Sequence, residues 1–384
     1  MFVFFRTLLL ALTGLAFAIV AGLSSSPEHI SVSQDVITAT PEVEATPFAT
    51  TTVGSISSTT AKTEESLSGN KTKSIVKSSP ATQVTTKSTG NTIIATPIKN
   101  PVNQVALNDR VRASIVNIIC VTKTAGPLNS ISASGVIIDS RGTILTNSHV
   151  GQYFLLKDYP SPGFVECTIR TGSPAQPKYT AELLFLPPSW IADNALKIKQ
   201  QKPTGNGEHD YAFLRITGVV HPNIPLPSAF PFLPVSINPP GEGQFLIAAG
   251  YPAGFLGGIT VQKELYGTSA VTHVGDVFTF DTDTIDLFSL GGSVVAQQGA
   301  SGGAAANEDG VLMGLIVTAT DAPDTASRDL RAITTSYIIR DFQKEAGIPI
   351  DTYLQGDTET EAHTFAQTIA PTLTQTLVNA IEGR

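Results

Sequence analysis

The sequence predicts an all-β fold in two halves over residues 107–348. Three observations carry that reading. From about Leu107 onward, short apolar runs alternate with Gly, Pro and Asn, the pattern of many short strands in barrels or sandwiches. No run keeps a 3.6-residue apolar period long enough for the crossover helices of a parallel sheet. A stretch with seven prolines, residues 216–243, divides the runs into two series and reads as a connector.

The first series places strands at 114–121, 134–139, 143–146, 165–170, 179–186 and 211–216. The second places them at 244–249, 259–265, 277–281, 311–318 and 330–334, followed by one closing helix at 337–346. The halves, 107–225 and 240–348, are each long enough to bury a core.

Residues 1–23 carry one charge, Arg6, and the 17 residues from Thr7 to Leu23 are apolar or small. As a helix that run spans about 26 Å, which suits a signal peptide or a short membrane anchor. Ala16-Phe17-Ala18 offers a cleavage site of the small-x-small kind. Either outcome exports the remainder of the chain, so the expected location is extracytoplasmic, membrane-anchored through residues 7–23 or secreted. Residues 24–106 are rich in Ser, Thr and Pro with few aromatics and read as a disordered stalk, because they bury too little apolar surface to offset ordering entropy. Residues 349–384 read as a C-terminal tail. Phe365, Ile369, Leu373, Leu377 and Ile381 fall at four-residue intervals, but Pro371 interrupts them, and a frayed tail is the expectation.

Composition excludes several classes. With 24 Lys and Arg against 32 Asp and Glu, the formal charge is −8, a poor basis for binding nucleic acid. The two cysteines, Cys120 and Cys167, form no CxxC, and the six histidines show no HExxH or similar spacing. Neither a metal nor a cofactor is expected.

Three stretches suggest chemistry. Gln298-Gly299-Ala300-Ser301-Gly302-Gly303 sets one serine among glycines ahead of an apolar run, 311–317. Glycines allow a sharp turn that frees the hydroxyl and aims successive N–H groups at one point. Residues 134–150 read as strand, turn at Arg141-Gly142, strand, then a polar bend carrying His149. An imidazole there suits proton transfer near neutral pH. Asp210 stands just before the run Tyr211-Ala212-Phe213-Leu214-Arg215-Ile216, where a carboxylate can be buried and fix a histidine tautomer. Asp193 is a rival carboxylate in a more polar stretch.

Together these stretches resemble the trypsin-like serine peptidases of the chymotrypsin fold, nearest the bacterial HtrA-like branch. The His segment is similar to the pattern SGxIID–GxILTNxHV, and the Asp segment to DxAxLRI. Gly299 to Gly303 with Asn307-Glu308-Asp309-Gly310 and Gly314-Leu315-Ile316 is similar to GNSGGPLxNxxGxxxGI. Gly250-Tyr251-Pro252-Ala253-Gly254 is similar to the GxPxG loop before the cleft. The resemblance covers residues 107–347 and implies two six-stranded antiparallel β-barrels with a C-terminal helix. The order His, Asp, Ser matches that template, with separations of 61 and 91 residues. The first is long, which implies an insertion within 152–203.

The resemblance implies Ser301 as nucleophile, His149 as general base and then acid, and Asp210 as the orienting carboxylate. It implies an oxyanion hole from the N–H groups of Gly299 and Ser301, acting on protein or peptide substrates. The primary pocket would be lined by 294–298, including Val295 and Gln298, and by Val317, Thr318 and Ala319. No charge lies in either segment, so small or medium apolar P1 side chains are expected rather than Arg or Lys. Ala300 stands where trypsin-type relatives have Asp, which argues against activation by a freed N-terminus, and Ala304 replaces a proline. The 37 residues after Gly347 are too few for a PDZ-type domain. For Cys120 and Cys167, a disulfide and free thiols both remain open. A second reading is an inactive peptidase fold serving as a surface binding or sensing module.

Overall fold

The computed structural model describes residues 103–126, 128–200, 204–281, 283–320 and 322–384, apart from the side chain of Thr318. The expected signal peptide or anchor, and the stalk up to residue 102, lie outside the described residues. The folded region starts earlier than the expected boundary. Helix α1 (Gln104–Ser114) is capped by Asn103, whose Oδ1 accepts from Ala106 N at 3.2 Å, and it buries Leu107 and Val111.

Barrel one is a closed six-stranded antiparallel barrel. Its strands are β1 (Ile115–Thr122), β2 (Ile131–Ile137), β3 (Thr143–Thr146), β4 (Val165–Thr171), β5 (Gln176–Phe185) and β6 (Ala212–Val219), in the order β1-β2-β3-β6-β5-β4. The β2–β3 turn is built by Asp139, whose carboxylate accepts from Arg141 N, Thr143 N and Thr143 Oγ1. Gly142 supplies the φ of 93° that the turn requires. Cys120 and Cys167 sit opposite each other on β1 and β4 and are joined by a disulfide.

Helices interrupt the barrel at the bend expected at His149 and within the insertion expected at 152–203. Helix α2 (Ser148–Leu155) follows β3, and α3 (Pro188–Asn194) with a 3-10 turn, Ala195–Lys199, follows β5. The second half is a seven-stranded antiparallel sheet, not six-stranded. It comprises β7 (Phe245–Gly250), β8 (Thr268–His273), β9 (Val277–Phe278), β10 (Leu287–Gly291), β11 (Ala304–Asn307), β12 (Leu312–Ala319) and β13 (Leu330–Thr334). Its order is β8-β7-β11-β12-β13-β10-β9, an open ladder. It curls until Thr272 Oγ1 donates to Leu290 O at 2.7 Å and Gly275 N to Ser289 O at 2.9 Å.

The strand expected at 259–265 is instead helix α4 (Gly258–Lys263), which buries none of its residues. Its C-terminal carbonyls, Val261 O and Gln262 O, accept from Nη1 of the buried Arg170 at 3.0 and 2.9 Å. A cation at that end favours the helix over a strand.

The largest correction is the tail. After α5 (Thr335–Ala346) come α6 (Ile350–Gln355), α7 (Thr358–Thr368) and α8 (Ala370–Glu382). Pro371 falls in the first turn of α8, where its missing N–H costs nothing, so it starts a helix instead of breaking one. Phe365, Leu373, Leu377 and Ile381 are buried in the same core as barrel one. The ring of Phe185 on β5 meets Phe342 of α5, Tyr353 of α6 and Phe365 of α7 at centroid distances of 4.7, 6.3 and 5.9 Å. Tyr353 Oη also donates to Leu184 O at 2.8 Å.

Candidate active site

His149 lies in the first turn of α2 and Asp210 just before β6, where the β3–β6 pairing brings Thr146 opposite Ala212. That register sets the histidine beside the carboxylate across 61 residues of chain. Nδ1 of His149 and Oδ2 of Asp210 are 2.8 Å apart, and His149 N donates to Oδ1 at 3.0 Å. Asn147 Nδ2 donates to Asp210 O at 2.9 Å. Both oxygens of a nearly buried carboxylate are thus spent on one residue. Asp193, the rival carboxylate, is exposed on α3 and is bonded to neither ring nitrogen.

Burial alone would lower the pKa of His149, but the charge of Asp210 and its hydrogen bond outweigh that, and the pKa is raised from the ordinary 6.5. The shared hydrogen bond fixes the proton at Nδ1 and leaves Nε2 as the basic nitrogen.

Ser301 stands in a tight turn between the buried Val295-Ala296 segment and β11. Gly299 has φ 93° and Gly302 φ 83°. A Cβ on Gly299 would lie 2.6 Å from Tyr251 O, and one on Gly302 would lie 2.0 Å from Ser134 O. Both turn positions therefore need glycine on two counts.

The turn is tied to barrel one through a residue whose role the sequence reading missed. Ser134 N donates to Ser301 O at 2.8 Å, and Ser134 Oγ donates to Gly299 O at 2.7 Å. The same hydroxyl accepts from Tyr251 N at 2.8 Å, and Ser134 O accepts from Thr146 Oγ1 at 2.8 Å. Thr146 is three residues from His149, and its hydroxyl lies 2.6 Å from where a Cβ on Gly302 would stand. These bonds bring the serine turn to the histidine end of β3.

The N–H groups of Gly299 and Ser301 donate to no other described group, while the intervening Ala300 N donates to Gln297 O. The Ser301 hydroxyl makes no hydrogen bond to His149 or to any other described residue.

Of the expected pocket residues, Val295 and Val317 are buried and Gln298 and Ala319 exposed, and Thr318 lies on β12 between Val317 and Ala319. A charged neighbour was missed. Arg328 Nη1 donates to Ala296 O and its Nε to Ala322 O, both at 3.0 Å, so a guanidinium braces the 294–298 wall. Beside the site lies a groove of about 550 Å³ whose walls include Asn206, Glu208, Phe278, Phe280 and Ala319. It runs from the segment before Asp210 to the end of β12.

Among the described residues, His209, Asp341 and Glu345 are the one group with metal-ligand chemistry, with ligand atoms within 4.8 Å of one another. Each already has a protein partner: Asp341 Oδ2 is 2.8 Å from His209 Nδ1, and Glu345 Oε1 accepts from Ser189 Oγ at 2.5 Å.

Residues 133–315 match the family model described as a trypsin-like peptidase domain. No curated protein matches the chain in sequence. Among solved structures, the chain is similar to a serine endoprotease from Yersinia pestis, with 20% identity over 64% of this chain and 67% of that one and a TM-score of 0.39. It is also similar to the active form of the Rv3671c protease from M. tuberculosis, with 17% identity over 62% of this chain and 83% of that one and a TM-score of 0.38.

Proposed function

We propose that this chain, whose residues 133–315 match a trypsin-like peptidase domain, is a serine endopeptidase that cleaves polypeptides outside the cytoplasm through His149, Asp210 and Ser301. The observation that carries the reading is the pairing of Asp210 with His149 beside a glycine turn whose two N–H groups are unclaimed.

In this reading the Ser301 hydroxyl closes onto His149 Nε2 when a substrate fills the cleft, a tightening common between free and bound enzymes. Ser301 Oγ then attacks the scissile carbonyl carbon while its proton passes to Nε2. The N–H groups of Gly299 and Ser301 receive the developing oxyanion, and Asp210 stabilises the imidazolium. The imidazolium returns the proton to the leaving amine as the C–N bond breaks, which leaves an acyl-enzyme. Water, deprotonated by the same imidazole, attacks the ester and restores Ser301.

Substrate residues ahead of the scissile bond would occupy the groove between Glu208 and Ala319. Arg328, whose guanidinium donates to Ala296 O in the 294–298 wall, supports the expectation that Arg and Lys are disfavoured at P1 and small or medium apolar side chains preferred. An exported location is supported by the Cys120–Cys167 disulfide, which persists in oxidising compartments, and by the apolar segment at residues 7–23.

The unbonded Ser301 hydroxyl is the one observation that favours the second reading, an inactive fold used for binding. Casein cleavage by the full chain and by its Ser301→Ala variant, with labelling by a serine-directed phosphonate, separates the two. Turnover and labelling that both vanish in the variant support the peptidase; a wild-type chain that neither cleaves nor labels sinks it.

A further inference from the structure

We propose that His209 is a positioning residue: with Asp341 it forms a second imidazole–carboxylate pair that holds Asp210 in register with His149. The proposal rests on the hydrolytic reading above and extends it from the cleft to helix α5.

His209 immediately precedes Asp210 and has φ 56°, in the left-handed region. A histidine meets a steric cost there and stays only when its surroundings over-determine it. Its surroundings do. His209 N donates to Tyr337 Oη at 3.1 Å, and His209 Nδ1 lies 2.8 Å from Asp341 Oδ2; both partners are on α5. His209 O accepts from Ser148 Oγ at 3.0 Å and from Tyr211 N at 2.9 Å. Ser148 is the residue before His149. The neighbours of the reacting pair are therefore bonded to each other, and both are referred to a helix that continues from β13 of the second half.

The arrangement runs as a line of two imidazole–carboxylate contacts, Asp341 to His209 and Asp210 to His149, each at 2.8 Å. The two are linked through one peptide bond whose conformation the first contact fixes. Asp341 and Tyr337 are buried, so this end of the line is screened from water. Three carboxylates face the imidazole: Asp341 and Glu345 from α5, and Glu208 from its own loop, with Oε1 3.9 Å from Nε2. Among the described residues, no Lys or Arg forms an ion pair with any of the three. Tyr211 and Tyr337 complete the surround.

His209 is not among the residues that line the groove, so its loss should act chiefly on the chemical step. The test uses the full chain and its His209→Asn, Asp341→Asn and doubly substituted variants. Asn tolerates the left-handed backbone while removing the ring. The readouts are kcat and KM on one peptide substrate, the melting temperature, and the downfield proton resonance of His149 Nδ1. The expected result is a kcat lowered about 10- to 100-fold in His209→Asn, as for a small misplacement of reacting groups, with KM within about 2-fold. The double variant should be no slower than His209→Asn, because the two residues act as one unit.

A folded His209→Asn chain with kcat near that of wild type, a rise in KM alone, or additive losses would each overturn the proposal. If His209→Asn does not fold, Asp341→Asn, which retains an acceptor oxygen, is judged by the same criteria. A wild-type chain without turnover sinks the hydrolytic reading instead. The His149 resonance still decides this one, since it should be lost or shifted in His209→Asn and an unchanged signal refutes it. Uptake of one Zn²⁺ per wild-type chain, abolished in both single variants, would make the cluster a metal site and overturn the hydrogen-bonded reading.

Discussion

The Ser134 hydroxyl on β2 donates to Gly299 O at 2.7 Å, so the first barrel holds the turn that carries Ser301 in the second half. Ser134→Ala leaves a buried carbonyl and the N–H of Tyr251 without that partner. Unsatisfied buried groups cost about 1–3 kcal/mol each. The variant should unfold at lower denaturant concentration, and kcat should fall more than KM rises. Chemical denaturation and steady-state kinetics check both.

Gly299→Ala places a Cβ 2.6 Å from Tyr251 O at a residue with φ 93°. The peptide must rotate, and the Gly299 N–H leaves its aim. Loss of one oxyanion donor lowers kcat by a factor on the order of 10²–10³. Burst-phase measurement of acylation checks it, and an unimpaired burst would show that the Gly299 N–H takes no part.

Under the proposed mechanism, the pH dependence of turnover follows from His149. Its basic form is the neutral ring, and Asp210 holds its pKa above the ordinary 6.5. The rate should therefore rise with pH through a value above 6.5 and then level off. In Asp210→Asn the charge that raises the pKa is gone, while burial, which lowers it, remains. The rising limb should move to lower pH, and the plateau should fall because the tautomer is no longer fixed. A pH profile of kcat/KM tests both shifts.

Stability should carry a second pH signature. The pKa of His209 is raised, chiefly by its hydrogen bond to Asp341 and despite burial. A group whose folded pKa is raised contributes stability that is fully present below its unfolded value, about 6.5, and lost as pH rises through the folded value. The melting temperature of wild type relative to His209→Asn should thus be highest in acid and converge above that pKa. Parallel thermal melts across about pH 5 to 9 measure it.

The C-terminal helices should be indispensable to the first barrel. Phe365→Ala removes a buried ring from the Phe185 cluster, a change that costs about 3–5 kcal/mol. Deleting residues 358–384 strips α7 and α8 from that core altogether. The truncated chain should bind a hydrophobic dye and lose activity, although every candidate catalytic residue is retained.

Much of the fold was legible because strands of barrel one such as β3 and β4 carry their own apolar signal. What escaped was short or small. β11 is Ala304-Ala305-Ala306-Asn307, residues suited to close pairing with β7 rather than to looking like a strand. The 259–265 run mimicked a strand because its apolar side chains alternate. Its real partner is an arginine 91 residues upstream, which no local pattern reveals. Pro371 misled for the opposite reason: the same residue breaks a helix interior and opens a helix, and only the position of the first turn tells which.

In the site, motif spacing pointed to His149, Asp210 and Ser301, but not to Ser134, His209 or Arg328. The functions of these three are relational. Ser134 matters through backbone groups of Gly299, Tyr251 and Ser301, and His209 through a helix 132 residues away. A buried serine within an apolar strand was the one available sign for the first. For His209, the glycine two residues before it hinted at an unusual backbone.

The packing of α7 against β5, and of α8 against the 3-10 turn and α3, has a consequence for biogenesis. Ribosomes deliver the chain from its amino end, so the six strands of the first barrel emerge long before the helices that cover them. Until α6 and α7 arrive, Phe185 lacks the rings of Tyr353 and Phe365, and His149 and Asp210 rest on an unfinished scaffold. Under the proposed mechanism, hydrolytic competence therefore waits for the helices that cover the first barrel and does not come with its six strands alone.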